Sequence, residues 1–250
     1  MREGALKAVT AIGLALQEQI EHGVLASGTQ LPAERKLSEL FATTRITVRE
    51  ALLQLETQGL VYREERRGWF ISPPRLAYNL MQRSHFHAMV SAQGRVPTTE
   101  VISARLQPAS AAVCARLQLA AFSSVIQICR ARRIDGRLVL YVEHYLNPQY
   151  FPQILQLDLT QSITELYTQH YDLHYGRVRF EFAPTALPPE AATRLKVSAA
   201  SPGLRIERIN YDQHERLIDC DLEYWRHDAI HVGVDVPQHR LYDGAQAAIF

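Results

Sequence analysis

The chain is poor in cysteine: Cys114, Cys129 and Cys220 are the three in 250 residues, and no two form a CxxC pair. That spacing signals neither a structural zinc site nor a disulfide framework, and small buried apolar side chains account for all three. Long apolar runs are also missing. None approaches the roughly 20 residues needed to span a bilayer, and the amphipathic N-terminus lacks the apolar block of a signal peptide, so a cytoplasmic protein with no membrane contact is expected. An excess of either charge is absent too, since 27 Lys and Arg meet 26 Asp and Glu. No global field draws such a chain to a polyanion, and affinity for nucleic acid would have to come from a local patch. Even residues 1–75 hold ten Lys and Arg against nine Glu. What remains is an ordinary globular composition, 47% hydrophobic and 21% charged, in a chain long enough for two domains. The expected division is 1–74, a linker at 75–84, and 85–250.

Helical periodicity opens the first of these. Leu6, Val9, Ile12, Leu16 and Ile20 form one apolar stripe that ends at His22-Gly23. Leu31-Pro32 then starts a short second helix with Leu37, Leu40 and Phe41 turned inward. Thr44 can cap a third, whose buried stripe is Val48, Ala51, Leu52 and Leu55 and whose stop is Gly59. Arg45 and Arg49 lie four residues apart on that helix and share a face, with Thr47 near it and the apolar stripe turned away. A recognition helix needs this division, because its exposed side chains donate to base edges or phosphates while the buried ones anchor it. Leu60–Arg63 and Trp69–Ile71 read as two strands around a basic tip that contains Arg66, Arg67 and Gly68.

Three runs in this region, Leu31-Pro32-Ala33-Glu34-Arg35-Lys36-Leu37, Thr44-Arg45-Ile46-Thr47-Val48-Arg49-Glu50-Ala51-Leu52 and Gly59-Leu60-Val61, together resemble the winged-helix domain of the GntR family of bacterial transcription regulators. The resemblance implies that Arg35, Arg45, Thr47 and Arg49 touch phosphates or bases, with Thr44 at the helix start. It also implies that Arg67 and Gly68 bring the wing to a minor groove. Thr44 stands where Ser is usual, and Trp69 where the wing usually has Gly-Thr.

Beyond the linker, strand-like and helical patterns alternate, as in an α+β domain. Asp135-Gly136 is the strongest hairpin signal, joining Val125–Ile134 to Arg137–Leu146. A two-residue turn sets Ile134 opposite Arg137, Arg132 opposite Val139 and Arg130 opposite Tyr141. Alternation then gathers Arg130, Arg132, Tyr141 and Glu143 on one face. Guanidinium forks on such a face suit a phosphate, phosphonate or carboxylate, although a solvent-facing sheet of alternating charge shows the same pattern. A second hairpin, Leu204–Asp212 with Leu217–Arg226, carries Asp219, Asp221 and Glu223 on one face and Ile218, Cys220, Leu222 and Tyr224 on the other. Ser162 sits where a helix can begin and offer N–H groups to an anion.

The segments Arg130-Ala131-Arg132, Asp135-Gly136, Glu143-His144-Tyr145-Leu146, Phe151-Pro152, Asp158-Leu159, Ser162 and Glu223-Tyr224-Trp225-Arg226-His227-Asp228 resemble the effector-binding domain called UTRA. This places the chain in the HutC branch of GntR-type regulators and implies a chorismate-lyase-like α+β fold with an antiparallel sheet and a ligand cleft. By the same resemblance Arg130, Arg132, Glu143, Ser162 and Glu223 hold the ligand, and the loop Ser84-His85-Phe86 closes over it. The residues from Arg67 to Arg75 look most like regulators of 2-aminoethylphosphonate use, with the ammonium near Glu143 or Glu223. Urocanate and sugar phosphates are the alternatives. His170 with His174, and His227 with His231, have the spacing of helical metal ligands, but no third ligand is marked, so neither a metal nor another cofactor is expected. A lyase-like enzyme fused to a DNA-binding domain is a competing reading, because the fold is shared with a lyase. The expected protein is not an enzyme. It is a homodimeric regulator of a pseudopalindromic double-stranded operator, because one recognition helix reads only a few base pairs.

Overall fold

The structure, a computed structural model, describes residues 2–64, 66–82 and 85–235. It begins with three helices, α1 (Arg2–Glu21), α2 (Glu34–Leu40) and α3 (Arg45–Thr57), followed by a two-stranded wing, β1 (Val61–Glu64) and β2 (Gly68–Ile71). Val9, Ile12 and Leu16 of α1 pack with Leu37, with Val48, Ala51, Leu52 and Leu55 of α3, and with Val61, Trp69 and Ile71 of the wing. Leu6 is 60% exposed, so the buried stripe of α1 starts one turn later than periodicity suggested. The Thr44 hydroxyl accepts from the Thr47 N–H at 3.2 Å and caps α3. Gly59 closes that helix at φ +78, a left-handed conformation that costs other residues about 1 kcal/mol or more.

The rest is built on a six-stranded antiparallel sheet. Its strands are β4 (Pro97–Pro108), β5 (Ser124–Ile134), β6 (Arg137–Leu146), β7 (Tyr175–Ala186), β8 (Pro202–Asp212) and β9 (Leu217–Arg226). They lie in the order β4-β5-β6-β9-β8-β7. Both faces are covered. Helices α5 (Ala111–Leu117) and α7 (Pro189–Leu195) pack on one face. The other meets α4 (Phe86–Ser91), α6 (Ile163–Tyr171) and the segment from Phe151 to Leu159. The segment read as a linker holds a strand, β3 (Leu76–Asn79), which pairs in parallel with β10 (Ile230–Gly233). Leu76 and Tyr78 join the core of the second domain, and that burial converts an expected tether into part of the fold.

A second difference changes the candidate site. The Asp135-Gly136 turn forms as expected, with φ of 51 and 80 and Ile134 opposite Arg137. One step on, the register slips: Arg133 pairs with Leu138 but Arg132 with Leu140, which leaves Val139 as an extra residue. Such a bulge moves everything beyond it to the other face. The gain is hydrophobic, because Val139 and Leu140 both enter the same cluster.

The two domains touch through charge and an aromatic ring. Tyr62 of the wing lies beneath the Arg137 guanidinium, 3.7 Å from its ring centroid, and within 5.2 Å of Arg226. Both arginines bind the buried Asp228 carboxylate, while His227 Nε2 meets the Glu56 carbonyl at 2.9 Å.

Candidate functional site

Two surfaces carry the candidate residues. The first is a groove between the helices and the wing, lined by Arg35, Arg45, Arg49, Arg67 and Gly68 together with Glu34 and Trp69. The four arginines are alike in sequence and unlike in place. Arg35 pairs with Glu39 at 2.9 Å along α2, and Arg67 with Glu64 at the tip of the wing. Arg49 donates from Nε and Nη2 to the Glu34 carboxylate, with the shortest contact at 2.7 Å. These bonds hold Glu34 below the ordinary carboxylate range despite partial burial. Arg45 has no ionic partner among the described residues and is exposed. Thr47 is buried, its hydroxyl 2.9 Å from that of Thr44, which makes it a brace for the helix start in the free protein. Trp69, the residue that departs from the usual wing, is 3% exposed. Its indole N–H donates to Glu34 at 3.2 Å, so the wing is pinned to the carboxylate that orients Arg49.

The second surface is a small cleft on the α6 side of the sheet. Arg130, Arg132, His144, Arg208 and Asp221 rise from the sheet, and His85, Phe86, His87 and the α6 start at Ser162 close the opposite side. Ser162 caps that helix, accepting from Glu165 N–H. His85 caps α4 through Nδ1 and lies 3.0 Å from Glu165. Phe86 stacks under the Arg132 guanidinium at 4.8 Å. Ser84 lies outside the described residues.

Tyr141 and Glu143 do not reach this cleft. The bulge at Val139 turns them to the opposite face, where Tyr141 packs with Cys129, Ala131 and Leu138 and Glu143 accepts from Tyr145 at 2.7 Å. Glu223 shares the cleft's face but lies behind it. Its carboxylate accepts from the Trp225 indole at 2.7 Å and faces Arg208 at 3.4 Å, so it orients that arginine and does not line the cavity. The acidic row on β9 is answered from within the protein: Asn210 and Tyr175 serve Asp219, and His144, Asn210 and Arg208 serve Asp221.

The hydrogen bonds assign the tautomer of His144. Arg130 donates to its Nε2 from Nε and Nη2 at 3.1 and 2.8 Å, so that nitrogen carries a lone pair, and the proton on Nδ1 goes to Asp221. Arg130 also donates to the carbonyls of Leu159 and Gln161 and is 1% exposed. It is a strut that fixes the loop ahead of α6. Arg132 and Arg208 differ from it, because each has a buried Nε with no hydrogen-bond partner among the described residues. Sequence reading missed Arg208, His144, His87 and Asp221 as cleft residues. The alternation that put Asp221 on a polar strand face would have found Arg208 directly opposite it on β8, had the β8–β9 register been followed outward.

Burial pushes His144 down to about 4, with Arg130 adding to the effect and Asp221 opposing it. Asp221, though burial disfavours its charge, is held low by His144 and Arg208, while burial and the neighbouring Asp221 push Asp219 up to about 7. The signs follow from linkage. The contribution of His144 to stability is complete above its ordinary value of 6.5 and is lost as pH falls toward 4. That of Asp221 is present above 3.8 and is lost as pH falls through its lower folded value. That of Asp219 runs the other way, being full below 3.8 and lost as pH rises through 7. The imidazole of His144 is therefore expected to remain neutral, with the proton on Nδ1, in long-range proton–nitrogen spectra at pH 6. An imidazolium signal there contradicts the assignment.

Comparison with known proteins places these surfaces in context. The UTRA domain family matches residues 92–231, and the family described as bacterial regulatory proteins, gntR family, matches residues 8–71. The chain is 28% identical over 216 residues to YihL of Escherichia coli strain K12, an uncharacterized HTH-type transcriptional regulator, covering 86% of this chain and 92% of that protein. It is 27% identical over 213 residues to the HTH-type transcriptional repressor NagR of Bacillus subtilis, covering 85% and 88%. The crystal structure of PhnF from Mycobacterium smegmatis has the same fold, with a TM-score of 0.64 at 21% identity over 91% of this chain and 99% of that one.

Proposed function

Because the chain belongs to the GntR-type bacterial transcription regulators that carry a UTRA domain, we propose that it binds a pseudopalindromic operator as a homodimer and represses transcription. In this reading a small metabolite bearing a phosphonate, phosphate or carboxylate group in the cleft sets its DNA affinity. That it is a ligand-responsive DNA-binding regulator follows from its two domains. Repression is supported by the repressor name of NagR. A cytoplasmic location suits this role, and no helix among the described residues is long and apolar enough to cross a membrane.

The observation that carries the choice of ligand is that Arg132 and Arg208, each with a buried Nε that has no hydrogen-bond partner among the described residues, both line one small cleft beside the first turn of α6. Guanidinium forks and free helix N–H groups are the two protein devices that bind oxyanions best. The acidic partners expected for an ammonium do not support a zwitterion as strongly. Glu143 is on the other face, Glu223 is occupied, and the cleft's carboxylate, Asp221, already serves His144. An anionic head group is thus better supported than a dedicated ammonium site.

The test combines a genome-fragment selection for the operator with a ligand panel of 2-aminoethylphosphonate, inorganic phosphate, a hexosamine phosphate and urocanate. At least one phosphorus oxyanion is expected to raise the melting temperature and change operator affinity together. A response confined to urocanate moves the assignment to an imidazole carboxylate, and turnover of any of these compounds restores the enzyme reading. Arg45→Ala and Arg49→Ala are each expected to weaken operator binding roughly tenfold or more with folding intact.

A further inference from the structure

The sheet has two free edges, and they are built differently. On β4 the register shifts between Val101 and Ser103, and α4 lies against the strand with His87 bonded to Thr99 at 2.9 Å. Bulges and covering helices are the usual means of blunting an edge. From Val178 to Ala186, β7 pairs residue for residue with β8, and among the described residues neither device is present on its open side. Pro184 orients that side. Lacking an N–H, it is accommodated in an edge strand with its nitrogen away from the neighbour, and alternation then turns the N–H and C=O of Val178, Phe180 and Phe182 to the open edge.

The side chains of β7 are sorted as well. Arg177, Arg179 and Glu181 are exposed on one face, with Arg179 paired to Glu181 within the chain. Val178, Phe180 and Phe182 occupy the other. The two phenylalanine rings stack at 6.0 Å, and Phe182, at the end of the row, is 39% exposed.

The geometry points to a second copy of this chain as the occupant of this edge: the β7 strands of two chains pair antiparallel about a two-fold axis through Phe180, making one continuous sheet across the dimer. In that register Arg179 faces the partner's Glu181, and by symmetry Glu181 faces the partner's Arg179. These are non-hydrogen-bonded pairs, in which side chains approach most closely. On the other face Phe180 meets the partner's Phe180, and Phe182 covers the partner's Val178, which takes the exposed ring out of water. The paired stretch runs from Arg177 to Ala183, so Pro184 falls outside it, where its missing N–H costs nothing.

Other registers are worse. A centre at Arg179 or at Glu181 sets like charges directly opposite, and a centre at Val178 sets Arg177 against the partner's Arg179. A centre at Phe182 puts Pro184 opposite the partner's Phe180, where a ladder bond is lost. Assembly exchanges two intrachain ion pairs, one in each chain, for two interchain ones, so the charges select the register while strand hydrogen bonds and the buried phenylalanines drive association.

This inference rests on the dimeric reading above and names its surface. The experiment uses the full-length protein and reads molar mass by sedimentation equilibrium across a concentration series. Wild type is expected to be a dimer, while Arg179→Glu and Glu181→Arg each weaken self-association about tenfold or more by placing like charges opposite. Mixing the two single variants in equal amounts is expected to restore a heterodimer, because all four facing positions then carry opposite charges. The double variant R179E/E181R is expected to dimerise as wild type does. An intrachain role for the pair cannot be rescued by mixing, so failure of the mixture to associate overturns the proposal. A wild type that dimerises while both single variants remain equally tight dimers also overturns this surface, though it leaves a dimeric regulator standing. A wild type that is monomeric at every concentration removes both readings.

Discussion

Arg132→Ala is expected to weaken binding of the anionic effector by about 30-fold or more, the lower end of what truncating one member of a desolvated charge pair costs. The guanidinium lies over the Phe86 ring at 4.8 Å, which fixes its plane, and its buried Nε has no hydrogen-bond partner among the described residues. An unanswered buried donor is expensive, and an oxyanion in the cleft is the group that would answer it. Arg130 is not equivalent, although it lies two residues away on the same strand face. Its donors are consumed by His144 and the carbonyls of Leu159 and Gln161, so its replacement should disorganise the loop before α6 and reduce stability together with affinity. Arg132→Lys, which keeps the charge but loses the fork and the stacking, should fall between wild type and Arg132→Ala. Calorimetric titration with whichever panel compound shifts melting supplies the measurement. Wild-type affinity in Arg132→Ala would remove this arginine from the site. Operator binding in the absence of effector should be unaffected, which separates loss of ligand from loss of fold.

Asp221→Ala is expected to cost about 3–5 kcal/mol of folding stability, the penalty for breaking a buried ion pair from one side. Asp221 is 3% exposed and is the point at which His144 Nδ1–H, Asn210 and Arg208 converge. Removing it leaves the imidazole without an acceptor and Arg208 with Glu223 alone. Asp221→Asn keeps the shape but removes the charge, and it should also let Asp219 titrate below its value of about 7, since Asp221 is the second cause of that elevation after burial. Urea denaturation at pH 7 measures the first effect, and carboxyl carbon shifts of Asp219 across the pH range measure the second. A loss within about 0.5 kcal/mol, the range of ordinary surface substitutions, would show that the cluster does not hold the sheet face as described.

Much of this architecture was legible in local sequence. The apolar stripe of α3, the Thr44 cap, Gly59 as a stop and the Asp135-Gly136 hairpin each depend on interactions a few residues long, and each appears where its residues put it, whereas Leu6 and Leu40, read into the stripes of α1 and α2, are exposed. The face division of β9 was legible for the same reason from Asp219 onward, where Cys220 and Leu222 pack on the α5 side, but Ile218, left over at a register shift, packs instead with the α6-side cluster. Trp69, read as a departure in the wing, is a buried indole pinned to Glu34.

Alternation fails where the backbone itself changes count. Ile134, Val139, Leu140 and Val142 are all buried in one cluster, and a strand can deliver both Val139 and Leu140 there only by bulging. Nothing in the local pattern of Arg137–Leu146 marks the extra residue, since every side chain from Arg137 to Val142 is buried on one face or the other. Tyr141 and Glu143 therefore left the candidate site for a reason that belongs to packing between distant segments. The strand at Leu76–Asn79 is a similar case, because its partner lies more than 150 residues away at Ile230–Gly233.

By itself the sequence determined the two domains' kinds, the recognition helix with Arg45 and Arg49 outward, and two arginines, Arg130 and Arg132, on one face of a sheet. Those are consequences of period and spacing, which short-range sterics and hydrogen bonding enforce. Only the tertiary structure decided what each arginine is for. Arg49 is held by Glu34 while Arg45 is not, and Arg130 is spent on the protein's own polar groups while Arg132 and Arg208 retain unmatched donors. A guanidinium's role is set by which acceptors reach it, and those acceptors come from segments that only folding brings together.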